Sequence, residues 1–279
     1  MPPSTLISEN PSVPAAVPTS PQPSWLRTYT PARVGLRRAG ISLATSEVLD
    51  FQLAHARTRD AVHAALQPSS LAATLRALPQ APEVLTLHSA APDRQAYLQR
   101  PDLGRQLDTP SLHRLRELHQ SEVADLAIII ADGLSALAVE RHAPPLLAEL
   151  LPALAQSNLR SAPICIVEQG RVAVADEVAH ALSAPLAIIL IGERPGLSSP
   201  DSLGAYITWN PQPGITTDAD RNCISNIRAE GLSYPQAAAR LMHYICEARK
   251  HQLTGVALKD PDPLNHPQLQ PVSAAGLEP

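Results

Sequence analysis

The segment LAIILIGERPGL, residues 186–197, decides the fold class. Its first six residues, Leu186 to Ile191, are apolar and show no polar alternation. Such a run is typical of a strand covered on both faces, and strands of that kind belong to parallel sheets flanked by helices. Ligands of open α/β sheets bind beyond the carboxyl ends of the strands, so the GERPG turn is a candidate binding segment.

Length and composition limit the classes of protein that the chain can represent. With 279 residues, of which 44% are hydrophobic, it can bury one sizeable core. A net charge of −4 and an aromatic content of 3% argue against binding to nucleic acid. No apolar run reaches the ~20 residues that span a bilayer, and no signal-peptide pattern opens the sequence. We therefore expect a cytoplasmic protein without a membrane partner.

The chain divides into four segments by composition. Residues 1–30 contain seven prolines and are predicted to be a disordered leader. Residues 31–80 are predicted to form a small helical element, with a helix starting near Thr45 or Ser46. Residues 81–260 alternate strand and helix patterns, and residues 261–279, with five prolines, are predicted to be a flexible tail.

The alternating segment predicts an α/β fold with a doubly wound, mostly parallel sheet of the Rossmann or flavodoxin-like type. Its predicted strands are Val84–His88, Leu126–Ile130, Ile164–Val167, Leu186–Ile191 and Ala205–Trp209. Its predicted helices are Leu112–Val123, the stretch around Leu146–Ala155, Asp176–Ala181 and Ser233–Lys250.

Catalytic and metal-binding motifs are missing from the sequence. GxGxxG, GxxxxGK[ST], GxSxG and HExxH do not occur, and the ten histidines are scattered without metal-ligand spacing. Three GLS triplets, at Gly133, Gly196 and Gly231, favour helix capping over a catalytic serine. We therefore predict no catalytic residue and no metal ligand in this chain.

Three loops follow predicted strands and are expected to meet at one edge of the sheet: 132–135, 168–172 and 192–196. Glu193 comes directly after the doubly buried strand, where an unpaired carboxylate costs several kcal/mol. Either a ligand lies beside it, or it forms a salt bridge with Arg171 or Arg194.

The three cysteines lack CxxC spacing, which indicates a reducing compartment without structural disulfides or zinc. Cys165 lies in an apolar strand and Cys246 on a helix, so both are predicted to be in the core. Cys223 lies in the polar segment RNCISN, and its sequence context leaves a core position and a site position equally open.

Five motifs in order resemble one family. They are QRPDLGRQL at 99–107, IADGLSA at 130–136, EQGRV at 168–172, IGERPGLSSPDSLGAY at 191–206 and DRNCISNI at 220–227. Together they closely resemble the small (light) subunit of ethanolamine ammonia-lyase, over roughly 31–259. The sequence departs from the family at RVGLRRAG, where Arg37 stands in place of the usual glycine.

The resemblance implies a function. The family is an adenosylcobalamin-dependent lyase that converts ethanolamine and related vicinal amino alcohols to an oxo compound and ammonia. The resemblance implies a hetero-oligomer with a large subunit. The large subunit holds the substrate, and cobalamin lies between the two subunits. Some enzymes of this family lie in a bacterial microcompartment. Carried over by motif, Val172, Glu193 and Cys223 are the cobalamin-contacting residues, and 81–260 is the cobalamin-binding domain. The competing hypothesis is a stand-alone flavodoxin-like module that binds a nucleotide or phosphorylated metabolite at the same sheet edge.

Overall fold

A computed structural model of the chain describes Trp25 and residues 29–30, 32–118 and 124–259. The chain forms two compact units, residues 1–56 and 57–279. The predicted tail at 261–279 and nearly all of the predicted leader at 1–30 lie outside the described residues. Among the described helices, none is long and apolar enough to cross a membrane.

The N-terminal unit contains a small hairpin and the beginning of a helix that crosses the boundary at residue 56. Strands β1 (Arg38–Ala39) and β2 (Ser42–Leu43) pair antiparallel, and helix α1 spans Thr45–His63, beginning where the sequence predicts. Arg37, the residue at which the sequence departs from its family, donates from Nη2 to Ser46 Oγ at 2.9 Å. The hairpin was not predicted, because two-residue strands are too short to show an alternating pattern.

The larger unit contains six helices and six strands within the described residues. The helices are α2 (Pro68–Arg76), α3 (Arg94–Gln99), α4 (Thr109–Glu117), α5 (Ala136–Gln156), α6 (Val174–Ala181) and α7 (Tyr234–His251). The strands are β3 (Val84–His88), β4 (Ala127–Ala131), β5 (Ile164–Glu168), β6 (Leu186–Gly192), β7 (Leu203–Trp209) and β8 (Arg221–Ile227).

The six strands form one mixed sheet in the order β3-β5-β4-β6-β7-β8. The first four strands in that order are parallel, which confirms the predicted α/β class with a mostly parallel sheet. Strand β7 runs antiparallel to β6, and β8 runs antiparallel to β7. Strand β8 was not predicted, because its residues RNCISNI include only three apolar side chains.

The two faces of the sheet are covered unequally. On the first face, helices α2, α5 and α7 pack over strands from β3 to β8. On the second face, α4 and α6 contribute to a core that covers β3, β5, β4 and β6. All seven residues of β6 are buried, as its apolar run predicts. On β7 and β8 the second face carries the half-buried Tyr206 and the exposed residues Cys223 and Ser225.

Helix α5 begins ten residues before the predicted Leu146, although Pro144, Pro145 and Pro152 lie inside it. Proline removes a helix hydrogen bond, so the sequence argued for a shorter helix. Burial of eleven side chains of α5 overrides that preference. The start of α5 confirms the capping role of the first GLS triplet, since Ser135 Oγ accepts from Ala138 N at 3.3 Å. No helix follows the triplet at Gly196, where the capping prediction is wrong.

Two further predictions need correction. Helix α4 ends at Glu117, and residues 119–123 of the predicted Leu112–Val123 helix lie outside the described part of the chain. Cys165 is buried as predicted, but Cys246 is exposed. The buried stripe of α7 passes through Leu241, Ile245 and Ala248, and the residue after Ile245 is rotated away from it.

A buried ion pair joins α6 to the β7–β8 end of the sheet. Arg221 of β8 donates from Nη2 and Nη1 to the two carboxylate oxygens of Asp176 on α6, at 2.7 and 2.8 Å. Nη1 also donates to Thr208 Oγ1 at 3.0 Å. Both side chains of the pair are only 2% exposed. Removing one partner would leave the other charge buried without compensation.

We therefore expect Arg221→Met to lower the free energy of unfolding by about 3–5 kcal/mol, because Asp176 loses its bidentate partner. The matched control is Arg100→Met. Arg100 makes an equally short ion pair with Asp102, at 2.7 Å, but the two side chains are 62% and 57% exposed. Solvent screens that pair, so little change is expected. Urea denaturation measures both variants, and equal losses would contradict the account.

Candidate functional site

The loops that follow three parallel strands meet at one edge of the sheet. Gly170 N, after β5, donates to Asp132 Oδ1, after β4, at 3.1 Å. Leu134 N donates to Gly192 O, at the end of β6, at 2.9 Å. The predicted convergence of these loops is therefore present in the structure.

Arg94 on α3 occupies the edge between β4 and β5. Its Nη1 donates to Gly133 O at 2.8 Å and lies 3.4 Å from Asp132 Oδ2. Its Nε and Nη2 donate to Val62 O at 2.9 and 2.8 Å. The guanidinium is thus satisfied by protein acceptors at the point where an open α/β sheet usually binds its ligand.

Asp132 is a buried carboxylic acid within this arrangement. Burial raises the pKa of Asp132 to about 6, and the Arg94 guanidinium and the Gly170 N–H oppose that shift. Each of the side chain's oxygens faces a protein donor, so Asp132 joins the loops after β4 and β5 and presents no free acid to a ligand.

The motifs QRPDLGRQL and EQGRV pack against each other. Arg171 N donates to Gly104 O at 2.6 Å, and the Arg171 guanidinium lies 4.2 Å from the centre of the buried Tyr97 ring. A Cβ on Gly104 would lie 2.8 Å from Arg171 Cγ and 3.0 Å from Gln169 O. Glycine is therefore required for this approach, which holds the segment that leads to Val172.

Glu193 emerges from β6 and is held on one side of its carboxylate. Its Oε2 accepts from Ser202 Oγ at 2.6 Å and from Asn226 N at 3.2 Å. Within the described residues, Glu193 forms no salt bridge with Arg171 or Arg194, so the ion-pair alternative is wrong. A Cβ on Gly204 would lie 3.1 Å from Oε1, which places the carboxylate directly over that glycine of β7.

A β-bulge directs the Asn226 N–H toward Glu193. Leu203 pairs with Ile227 and Ala205 with Ile224, so β8 uses one more residue than β7 over this interval. Asn226 adopts a left-handed conformation, with φ of 59°. A bulge turns a backbone group out of the ladder, and here that group becomes a donor to the carboxylate.

Cys223 is exposed on β8 and pairs across the strands with Tyr206, which excludes the core alternative for this cysteine. Its Sγ lies 3.3 Å from Ser225 Oγ. Burial raises the pKa of Tyr206 well above its usual value, and neighbouring Cys223 and Glu193 add to the shift. The phenol therefore remains protonated at neutral pH.

We call Gly204, Tyr206, Cys223 and Ser225 the β7–β8 shelf. Glu193 borders this shelf at Gly204, and Cys223 lies on it. Val172 does not touch these residues through any hydrogen bond, but it and Tyr206 pack against the same second-face core. Among the described residues, no group of three or more His, Cys, Asp or Glu side chains could hold a metal ion.

Four residues around Glu193 were not predicted as site residues: Ser202, Gly204, Tyr206 and Asn226. All four lie within the motifs at 191–206 and 220–227, which was the available signal. Their roles depend on the pairing of β7 with β8, and that pairing was not predicted.

The structure defines an α/β protein whose mixed sheet carries exposed residues on the second face of β8. Comparison with known proteins identifies its family. The profile of the ethanolamine ammonia-lyase light chain (EutC) matches residues 22–259. The ethanolamine ammonia-lyase small subunit of Pseudomonas putida (strain W619) is 55% identical over 248 residues, covering 88% of this chain and 90% of that protein. The small subunit of Ralstonia nicotianae is 54% identical over 258 residues, covering 91% and 94%. The chain belongs to the ethanolamine ammonia-lyase light-chain family.

Proposed function

We propose that this chain is the small subunit of an adenosylcobalamin-dependent ethanolamine ammonia-lyase. It holds cobalamin at the interface with a large catalytic subunit, and the complex deaminates ethanolamine and related vicinal amino alcohols to acetaldehyde or other oxo compounds and ammonia. Family membership supports the activity, and the word "small" in the relatives' names supports the partner. The observation that carries the cofactor role is the open β7–β8 shelf with Glu193 at its border.

The residues of the shelf fit a corrinoid. A corrin is broad, with apolar faces and amide side chains around its rim, so it requires an open surface with hydrogen-bond acceptors at the border. Gly204 has no side chain, and Cys223 and Ser225 are exposed. Both hydrogen bonds that the Glu193 carboxylate accepts go to Oε2, which leaves Oε1 available as an acceptor. We infer that Val172, Glu193 and Cys223 contact the cofactor.

The division of work between cofactor and chain follows from these groups. Adenosylcobalamin supplies the radical chemistry when it is bound. Glu193 would accept an amide N–H, while the apolar side chain of Val172 and the thiol of Cys223 would pack against the corrin and exclude water. The shelf contains no pair of groups suited to general acid–base catalysis, so the substrate-handling residues are assigned to the large subunit.

The stand-alone nucleotide-binding alternative is less well supported. A phosphate at the edge of β4 and β5 would need free backbone N–H groups. Arg94 fills that edge and is satisfied by protein carbonyls, and the Gly170 N–H is already donated to Asp132. The three free cysteines agree with a cytoplasmic complex, inside or outside a bacterial microcompartment.

Reconstitution tests the proposal. We expect no acetaldehyde from ethanolamine when the purified chain is mixed with adenosylcobalamin alone, because its sequence shows no motif that brings an acid, a base and a nucleophile together, and radical chemistry needs a substrate pocket that excludes water. Addition of a large subunit from the same family should give turnover, measured through a coupled alcohol dehydrogenase assay. Turnover by the purified chain without the large subunit would contradict the proposal. A complex of both subunits that shows no turnover would also contradict it.

Glu193→Gln tests the cofactor contact. A charge-assisted hydrogen bond is worth about 1.5–3 kcal/mol, so the variant complex should bind cobalamin about 10- to 100-fold more weakly. The control is Glu149→Gln, an exposed position on α5, which packs on the opposite face of the sheet. Its cobalamin Kd should equal that of the wild type. Equal Kd values for Glu193→Gln and wild type would remove Glu193 from the site.

A further inference from the structure

We propose that Ser202 is a positioning residue, whose hydroxyl fixes the Glu193 carboxylate so that Oε1 is presented to an amide N–H of the corrinoid. This inference rests on the proposed function, because it specifies how one side of the same cofactor site is set. Ser202 itself lies under the carboxylate and is not assigned a contact with the cofactor.

Two hydrogen bonds join Ser202 and Glu193. Glu193 N donates to Ser202 O at 3.0 Å, and Ser202 Oγ donates to Glu193 Oε2 at 2.6 Å. The second distance is that of a strong hydrogen bond from a hydroxyl to a carboxylate. Ser202 is only 6% exposed, so water does not readily replace its hydroxyl.

The carboxylate is restricted from three directions. Ser202 and the Asn226 N–H hold Oε2, and the backbone of Gly204 lies beneath Oε1 and Cγ. A Cβ at Gly204 would approach Oε1 to 3.1 Å and Cγ to 3.2 Å. Both donors contact the same oxygen, Oε2, which leaves Oε1 as the free acceptor.

The two residues before Ser202 are anchored to the start of α5. Asp201 accepts from Arg141 Nη1 at 2.7 Å, and Pro200 O accepts from Ser135 Oγ at 3.1 Å. These two residues of the connection between β6 and β7 therefore contact the start and the second turn of a long buried helix. Ser202 thus follows an anchored segment, and its hydroxyl contacts Glu193 Oε2, as a positioning role requires.

The test measures cobalamin Kd for the complex of both subunits by absorbance titration. Ser202→Ala should weaken binding about 3- to 10-fold, because the carboxylate loses one of its two donors. Combined with Glu193→Gln, it should add nothing to the loss caused by Glu193→Gln alone, since Ser202 acts only through Glu193. A purely structural effect of Ser202 would add to it.

Ser111→Ala is the matched control, and Gly204→Ala is an independent test. Ser111 is 7% exposed and its hydroxyl accepts from His88 N, far along the chain from Glu193. Its loss should leave the Kd unchanged even if the Tm falls. Gly204→Ala displaces the carboxylate without touching Ser202 and should also weaken binding.

The outcomes separate the two proposals. An unchanged Kd in Ser202→Ala, or losses that add in the double variant, would overturn the positioning role while cobalamin binding itself stands. If Ser202→Ala does not fold, an unchanged cobalamin Kd in Gly204→Ala would overturn the positioning role instead. Failure of the wild-type complex to bind cobalamin would overturn the proposed function.

Discussion

The ten-residue connection between β6 and β7, residues 193–202, carries no helix, and the site depends on that constraint. Without a crossover helix the chain can only return antiparallel, so β7 lies beside β6 in the reverse direction. Strand β8 adds a second antiparallel pair. Helix α6 reaches the second face of these strands at Arg221 and Thr208, whereas Cys223 and Ser225, farther along β8, stay exposed.

Buried polar contacts hold the open half of the sheet against its helices. The Arg221–Asp176 pair fixes the start of β8 to α6, and Arg94 fixes the loops after β4 and β5. Both guanidinium groups donate hydrogen bonds to acceptors of the protein itself. The carboxylate of Glu193 differs, because its donors occupy one oxygen only. The carboxylate thus keeps Oε1 as an acceptor at the border of the shelf.

Much of this arrangement could be predicted from local sequence, and the failures share a cause. The apolar run of β6 identified a doubly covered strand, and the cost of a carboxylate after it drew attention to Glu193. Strand β8 was missed because it carries polar residues such as Ser225, which lies on the open shelf, and so lacks a continuous apolar pattern. The roles of Ser202 and Asn226 arise from a turn and a bulge that bring distant residues together, and no local pattern encodes that pairing.

Alkylation of the three cysteines is the most direct test of whether cobalamin lies on the shelf. Cys223 and Cys246 are exposed, Cys246 on α7 against the opposite face, whereas Cys165 is buried, and burial raises its pKa to about 12. Iodoacetamide labelling of the two-subunit complex, followed by peptide mass spectrometry, gives the rate at each thiol. The account predicts that cobalamin slows the labelling of Cys223 and leaves the labelling rate of Cys246 unchanged. Cys165 should stay unlabelled with and without cobalamin. Equal labelling of Cys223 with and without cobalamin would contradict it.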